Sequence, residues 1–472
     1  TVGDGDIVGV ALDMDTGDIE FYRNNESQGV AATGLSGILF PYLSLYDNHN
    51  LYVNFGQDAT FAGNYSGTPV ADGNGEFAYA PPTDFNALCT ASLADPGVNN
   101  AAADETAFET VLYEGTVLAQ PVTTSFQPDL LWLKARTSAY AHGIVDSVRG
   151  LGNVLSSNGN WADTAAATEV TATSATSITL GTSDNNYSNV PGEDYVGWLW
   201  KGGGGTLFDA SGTDTGSRNL AAGFSIVKWT GTDVDGDDMV SDYTTHKQTI
   251  THGFTTPPEL IIAKSRTNNA EGDGAVSGCS SDWIVYHKDL TDKYFLRLNQ
   301  SAAELDMGSW SAQPIESITS TTFKVCNAYD MTSLGYFLNY GEDTGSSMML
   351  MYTGDTYIAY CFQSIEGYSK VGSYARAGSA TDDRFVHLGF RPQFLLVKQS
   401  AAGGWFLVDS ARDTYNKTDK WLDAQTSADE DTGYGFDLLS NGFKDKGFFT
   451  TQTGTILYYA VAENPFKHAN AR

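Results

Sequence analysis

The sequence predicts an all-β protein made of tandem antiparallel β-sandwiches of the jelly-roll or concanavalin-like type. The composition favours strands and turns, with 50 glycines, 12% aromatic residues and only 18% charged residues. No stretch longer than about ten residues keeps the apolar spacing of an amphipathic helix. One pattern of short apolar runs also occurs three times, which is typical of a tandem array of one domain.

The repeated pattern predicts a β-hairpin. Each copy has a proline, four apolar residues, a lysine, a polar loop and a second apolar run. Such a run between a proline and a charge predicts a strand covered on both faces. We expect each lysine to end its strand by snorkelling or ion pairing, with a repeated ligand contact as the alternative. The residue pairs are Pro128 and Lys134, Pro258 and Lys264, and Pro392 and Lys398.

The second apolar run ends in Asp146, His287 or Asp409. In the first and third copies an Asp-Ser-x-Arg element follows, which predicts a turn closed by an ion pair to Arg149 or Arg412. Because His287 replaces the acid in the middle copy, chemistry that needs this carboxylate would be absent there. We therefore interpret the element as architectural.

The apolar segments that flank each hairpin complete the predicted domains. Opening strands are predicted near Phe108, Phe224 and Tyr368, and aromatic closing strands near Trp198, Tyr360 and Tyr459. The predicted organisation is a partial sandwich at 1–57, an extended linker at 58–105, repeat 1 at 106–201, a glycine-rich linker at 202–222, repeat 2 at 223–364 and repeat 3 at 365–472.

The charge of the chain limits its partners. The net charge is −31, with 26 basic residues against 57 acidic ones. This balance excludes a duplex nucleic-acid binder and disfavours anionic membranes. The four cysteines form neither a metal-binding pair nor a disulfide pattern, so we expect assembly in a reducing cytoplasm.

Residues 1–57 carry a second recognisable pattern. It includes Gly5-Asp6, Asp13, Phe40-Pro41 and Val53-Asn54-Phe55-Gly56. The segment resembles the C-terminal half of a SPRY domain, a concanavalin-like sandwich that serves as a binding module. Alternating apolar residues such as Val8 and Val10 would form sheet faces that this half cannot cover by itself. We expect an upstream segment or a neighbouring subunit to supply the complementary strands.

The sequence predicts no catalytic residue, no cofactor and no metal centre. Asp233, Asp235 and Asp237 resemble a calcium loop, but Thr244 stands where a helix–loop–helix site has its bidentate glutamate, so these aspartates are weak calcium candidates. Neither a zinc-binding histidine spacing nor a GxSxG element is present. Trp161 and Trp310 lie in polar stretches and are candidates for glycan stacking, whereas Trp283 and Trp405 are expected in the core.

The combination of these elements resembles virion structural proteins of tailed phages, especially marine ones. The shared features are the SPRY-like half, the linker Tyr79-Ala-Pro-Pro-Thr83, the repeated lysine, the Asp-Ser-x-Arg element (followed by Gly150 in the first copy), and the closing segment Ala462–Lys467. The resemblance implies a place in the virion tail or its fibres, assembly in the host cytoplasm and action outside the host cell.

The partners implied are other virion subunits, a homo-oligomer with a trimer favoured, and a host-surface glycan or receptor. Two alternatives stay open, a tail-associated polysaccharide depolymerase and a secreted bacterial surface adhesin.

Overall fold

In the computed structural model, all regular structure among the described residues is β-strand, which confirms the predicted fold class. The chain divides into two units, Thr1–Ala94 and Asp95–Arg472, called the N-terminal unit and the large unit below. The structure describes residues 2–36, 39, 41–42, 50–71, 75–88, 107–166, 168–182, 186–203, 207–209, 215–232, 247–267, 280–292, 294–306, 313–326, 346–347, 350, 354–377, 383–447 and 453–464.

The N-terminal unit contains a three-stranded meander of β1 (Val8–Asp13), β2 (Asp18–Arg23) and β3 (Glu26–Ala32). Asn24 and Asn25 turn the second hairpin with φ of 50° and 70°, a conformation that asparagine tolerates. A short hairpin follows, β4 (Val70–Ala71) with β5 (Glu76–Phe77).

One face of the meander is apolar and open to solvent. Val8, Val10 and Leu12 alternate along β1, and Phe21 lies opposite Val10. Val10 is 59% exposed, and the other three are exposed too. Further along the SPRY-like segment, Leu43 and Leu45 lie outside the described residues, while Leu51, Val53 and Phe55 are exposed.

We expect the amides of Val8 to Arg23 to exchange quickly in the isolated chain, because a three-stranded meander without a covered face is marginally stable. Hydrogen–deuterium exchange of the full 472-residue chain measures this directly. Full protection of these amides in a monomer would show that the N-terminal unit closes its own core.

The described residues of the large unit contain three repeats of eight equivalent strands. Repeat 1 has β6 (Phe108–Glu114), β7 (Gln120–Thr123), β8 (Leu130–Ala135), β9 (Gly143–Asp146), β10 (Asn153–Val154), β12 (Val170–Thr173), β13 (Ser177–Leu180) and β14 (Asp194–Trp200), with β11 (Thr164–Ala165) beside β10. Repeat 2 has β17 (Phe224–Thr230), β18 (Gln248–Thr251), β19 (Leu260–Ser265), β21 (Ile284–His287), β22 (Tyr294–Arg297), β24 (Ile315–Glu316), β25 (Thr322–Val325) and β27 (Thr356–Phe362). Repeat 3 has β28 (Ser369–Ala377), β29 (Arg384–His387), β30 (Pro392–Gln399), β31 (Trp405–Asp409), β32 (Thr418–Asp423), β33 (Asp431–Leu439), β34 (Gly442–Asp445) and β35 (Thr453–Ala462).

Each repeat is a sandwich of an inner and an outer antiparallel sheet. The inner sheets have the strand orders β6-β14-β8-β9, β17-β27-β19-β21-β22 and β28-β35-β30-β31-β32. The outer sheets are β7-β13-β12, β18-β25-β24 and β29-β34-β33, and in repeat 3 the pairing of β32 with β33 joins the two sheets. The three repeats therefore share one topology.

Some strands lie outside this common plan. The expected linker 202–222 contains two, β15 (Leu207–Asp209) and β16 (Thr215–Asn219), which extend the inner sheet of repeat 2 beyond β17. Repeat 2 also carries β23 (Leu305–Asp306) next to β22, and β20 (Ser280–Ser281) pairs with β26 (Ser346–Ser347).

The three inner sheets pack against one another around a shared core. Along β8, Leu130 and Trp132 point into this shared core, whereas Leu131 and Leu133 point into the core of their own sandwich. The equivalent strands β19 and β30 alternate in the same way. The apolar runs of β8, β19 and β30 are unbroken because these three strands are buried on both faces. The described residues of the large unit thus form three sandwich cores and one shared core, rather than a chain of separate sandwiches.

Candidate functional site

The three repeated lysines lie at equivalent positions and are completely buried. Lys134, Lys264 and Lys398 are each 0% exposed, and each lies two residues after the last shared-core residue of its strand. Each amine donates to the carbonyl of the next residue in its own chain, at 2.6 Å, 2.9 Å and 2.6 Å respectively. Each amine also donates to a second backbone carbonyl, and the acceptors are Ser138, Asn160 and Ala401. The expected snorkelling does not occur, since these amines do not reach solvent.

Burial changes the protonation chemistry of these amines. Desolvation lowers the pKa of Lys264 to about 7 and the pKa of Lys134 and of Lys398 to about 8. Nearby carboxylates, such as Asp282 and Asp163 around Lys264, oppose the decrease in pKa. With two carbonyl acceptors each, the lysines cap loop ends, and this geometry favours the structural interpretation over a ligand contact.

A ring of hydrogen bonds from aromatic side chains joins the three repeats. The donors, which occupy equivalent positions in the three repeats, are His142, Trp283 and Trp405. The acceptors are backbone carbonyls that also occupy equivalent positions. The bonds run from His142 Nε2 to Asp423 O (3.0 Å), from Trp283 Nε1 to Ser156 O (2.8 Å) and from Trp405 Nε1 to Arg297 O (2.9 Å). Trp132 donates to His142 Nδ1, which makes Nε2 the donor atom of the histidine. Repeat 1 thus contacts repeat 3, repeat 2 contacts repeat 1, and repeat 3 contacts repeat 2.

The acceptors of this ring are followed directly by three aligned seven-residue stretches, here called the bridging segments. They are residues 157–163 (SNGNWAD), 298–304 (LNQSAAE) and 424–430 (AQTSADE). The amide side chain at the second position of each segment accepts from the backbone N–H of the ring donor in its own repeat. The acid at the seventh position donates its backbone N–H to the neighbouring repeat, with bonds from Asp163 to Arg266 O, Glu304 to Ser400 O and Glu430 to Arg136 O.

The predicted Asp–Arg turns are part of these repeat contacts. Asp146 Oδ2 accepts from Arg149 Nε at 2.5 Å, and Asp409 Oδ2 accepts from Arg412 Nε at 2.6 Å, with all four side chains buried. Arg149 continues to Asp163, which also accepts from Arg266 of repeat 2. Arg412 continues in the same way to Glu430, which also accepts from Arg136 of repeat 1. Each of the two carboxylates, Asp163 and Glu430, therefore bridges two arginines from different repeats, an arrangement called the arginine bridge below.

The interface between repeats 2 and 3 lacks this arginine bridge. Leu290 stands at the position of Arg149 and Arg412, and Ser400 stands at the position of Arg136 and Arg266. His287, at the position of Asp146 and Asp409, accepts through Nδ1 from the backbone N–H of Asp289 (3.1 Å) and so holds the turn in their place. Burial lowers the pKa of His287 to about 4, so its imidazole is neutral at pH 7.

Sequence reasoning missed the bridging segments and the arginines 136 and 266. The signal was present, because the three segments align without a gap and end in Asp, Glu and Glu. Their composition is small and polar, so the sequence of each segment by itself is indistinguishable from that of a loop.

Trp161 lies in the bridging segment of repeat 1 and is 40% exposed. The equivalent positions hold Ala302 and Ala428, so the common architecture does not need an indole here. The ring lies over Gly159, where an added Cβ would fall 2.2 Å from the nearest ring atom. Gln300 and Thr426 stand at the position of Gly159, so the glycine and the tryptophan occur together.

The other predicted site residues lie outside the described part of the chain. These are Trp310 and the weak calcium candidates Asp233, Asp235 and Asp237. Among the described residues no group of three or more His, Cys, Asp or Glu side chains is placed to hold a metal ion. None of the described residues forms a helix capable of spanning a membrane.

Comparison with known proteins gave two family matches. The family described as Domain of unknown function (DUF7483) matches residues 104–465, and the SPRY domain family matches residues 1–58. The first match covers all three repeats as one domain, in agreement with their shared core. The second supports the resemblance of residues 1–57. No curated protein and no solved structure matches the chain.

We expect Asp163→Asn to destabilise the large unit more than Glu304→Gln. The first change leaves the buried Arg149 and the partly buried Arg266 without a shared carboxylate, which typically costs up to about 3–5 kcal/mol. The second change is the matched control, because no arginine stands at the equivalent positions. Chemical denaturation measures both, and equal losses would contradict the role given to the arginine bridge.

We also expect the free energy of unfolding to decrease as the pH is lowered from about 6.5 to about 4. Burial lowers the pKa of His142 to about 3, and of His252 and His287 to about 4. The three histidines therefore become protonated near pH 6.5 in the unfolded chain but only near pH 4 or below in the folded chain. Each histidine removes up to about 1.4 kcal/mol per pH unit in this window.

The three buried lysines should make the free energy of unfolding increase as the pH rises through the alkaline range. Their lowered pKa means that the folded chain loses these protons near pH 7 to 8 and the unfolded chain near pH 10.4, so stability rises across this window. Urea titrations at several pH values test both trends, and a flat profile from pH 6.5 to pH 4.5 would contradict the neutral buried histidines.

Proposed function

Since the chain belongs to the family described as Domain of unknown function (DUF7483), whose description assigns no activity, we propose its function from its architecture. The proposal is a structural and attachment protein of a tailed-phage virion, in the tail or a tail fibre. The observation that carries it is the ring of contacts that locks three sandwiches around one core. In this body the repeated lysines are buried on backbone carbonyls and the two Asp–Arg turns continue into ion pairs between repeats, which is the use expected in a structural protein.

The combination of a SPRY-type module with a rigid three-repeat body supports attachment as the task. SPRY domains serve as binding modules, and the resemblance to tailed-phage proteins supplies the virion, its subunits and a host-surface receptor as partners. Mass spectrometry of purified phage particles that encode this chain tests the location. Absence from the particle, together with an intact secreted precursor in a bacterium, would favour the adhesin instead.

Trp161 is the best candidate in the described residues for contact with a host glycan. It is an exposed indole in a polar segment, the repeat architecture does not require it, and its ring is oriented by Gly159. Aromatic faces of this kind stack on the apolar faces of sugar rings and desolvate them. Only one of the three equivalent positions carries the indole, so one chain offers one such contact. Avidity would then require several chains, and a trimer is our proposal for the assembled state.

We expect Trp161→Ala to weaken glycan binding about tenfold or more while leaving stability nearly unchanged, since alanine occupies both equivalent positions. Gly159→Ala should weaken binding similarly by displacing the ring, and should have no further effect in the Trp161→Ala background. Host-glycan arrays and calorimetry measure affinity, and thermal unfolding controls for folding. Unchanged affinity in both variants would remove Trp161 from the site.

The same purified chain distinguishes attachment from depolymerisation. Light scattering gives the oligomeric state, and a monomer would contradict the trimer. An assay for new reducing ends on host polysaccharide should show none above background. Steady release of reducing ends would replace the attachment proposal with the depolymerase.

A further inference from the structure

Strand β6 of repeat 1 presents one open edge. Its other edge pairs with β14, and the flanking bonds fix which residues face which way. Lys201 N donates to Ala107 O (2.8 Å) and Gly115 N donates to Glu193 O (2.9 Å), so the odd-numbered residues bond to β14. The backbone N–H and C=O groups of Thr110 and Leu112 therefore point away from β14. In the described part of the chain no strand pairs with this edge.

Side chains close the two ends of the edge and leave its centre open. Gln393 Nε2 donates to Phe108 O (3.5 Å), and Gln120 Nε2 donates to Glu114 O (2.9 Å). Between them a groove of about 670 Å³ runs along β6 and β7. Tyr113 lines this groove, and its hydroxyl is buried without a hydrogen-bond partner. The groove thus contains the outward backbone groups of Leu112 beside a tyrosine whose hydroxyl is unsatisfied, and the outward groups of Thr110 continue the open edge beyond it.

Repeat 2 shows what the same edge accepts. Strand β17 is equivalent to β6, because Gln363 N donates to Gly223 O and Gly231 N donates to Asp355 O in the same pattern. Its outward edge is covered by β16, which runs antiparallel to it. Ser217 lies opposite Ile226, the equivalent of Thr110, and Thr215 lies opposite Lys228, the equivalent of Leu112.

We propose that the β6 edge binds an extended segment of another protein chain by antiparallel strand addition. Main-chain bonds to Thr110 and Leu112 provide the affinity, as in other cases of strand addition. The segment resembles β16, with small or hydroxyl-bearing residues opposite these two positions. It carries positive charge, because Glu109 and Glu114 lie on β6 in a chain of net charge −31. A second copy of this chain fits less well, since it would bring two acidic β6 strands together. The proposal does not depend on the glycan contact at Trp161.

The probe for this edge is a fluorescein-labelled peptide based on residues 213–221 with Asp214 replaced by lysine (TKTGSRNLA), so that it carries net positive charge. We expect saturable binding to the full chain, measured by fluorescence polarisation. Hydrogen–deuterium exchange should show the amides of Thr110 and Leu112 exchanging quickly in the free chain and becoming protected with the peptide. N-methylation at Ser217 should abolish binding, whereas N-methylation at Gly216, whose N–H points away from the pairing edge, should not.

Leu112→Pro tests the edge from the other side. It removes the outward N–H and leaves the bonds of Val111 and Tyr113 to β14 in place, so affinity should fall about tenfold or more. Leu112→Thr is the matched control, and Trp161→Ala should bind the peptide normally. Unchanged affinity in Leu112→Pro would overturn the proposal. So would protection of the Leu112 amide in the free chain, because the edge would then already be covered. Self-association abolished by Leu112→Pro would assign the edge to a second copy and contradict the partner proposed here.

Discussion

The structure of the large unit depends on inner strands that are apolar on both faces. A strand such as β8 gives Leu131 and Leu133 to its own sandwich and Leu130 and Trp132 to the shared core. At about 25 cal/mol for each Å² of apolar surface buried, no inner sheet would be stable with its second face in water. Each repeat therefore needs the other two. The ring of indole and imidazole donors then fixes the rotation of one repeat against the next, because these hydrogen bonds are directional whereas apolar packing is not.

The buried lysines are explained by the same constraint. The alternation that points Leu130 and Trp132 into the shared core also points Lys134 to that side, at the end where the core meets the loops. A buried amine is costly unless its hydrogen bonds are satisfied, and the backbone carbonyl of the following residue is always within reach of a lysine in this position. The tendency of a lysine to snorkel, on which the sequence expectation relied, gives way because the neighbouring repeats occupy the space in which water would lie.

Much of the fold could be predicted from the sequence because it depends on residues that are close together in the chain. The three hairpins, the equivalence of the three lysines, the core positions of Trp283 and Trp405 and the Asp–Arg turns all follow from spacing and residue type. The shared core could not be predicted in this way, since an unbroken apolar run indicates that both faces are covered without indicating by what. The bridging segments were missed for the opposite reason. They contain few apolar residues, and their role depends on partners far away in the sequence, such as Asp163 with Arg266 or Glu430 with Arg136.

The three interfaces differ in a way that shows how the arginine bridge behaves. At the interface of repeats 2 and 3, Leu290 and Ser400 replace both arginines, and the turn acid becomes His287. A buried arginine without its carboxylate costs several kcal/mol, whereas an apolar or small residue of suitable shape costs little, so the members of such a network are expected to change together. What this interface keeps is the part that depends least on charge, namely the indole of Trp405 on the carbonyl of Arg297 and the backbone bond from Glu304 to Ser400. The packing and backbone contacts therefore define the arrangement of the repeats, and the ion pairs reinforce it at two of the three interfaces.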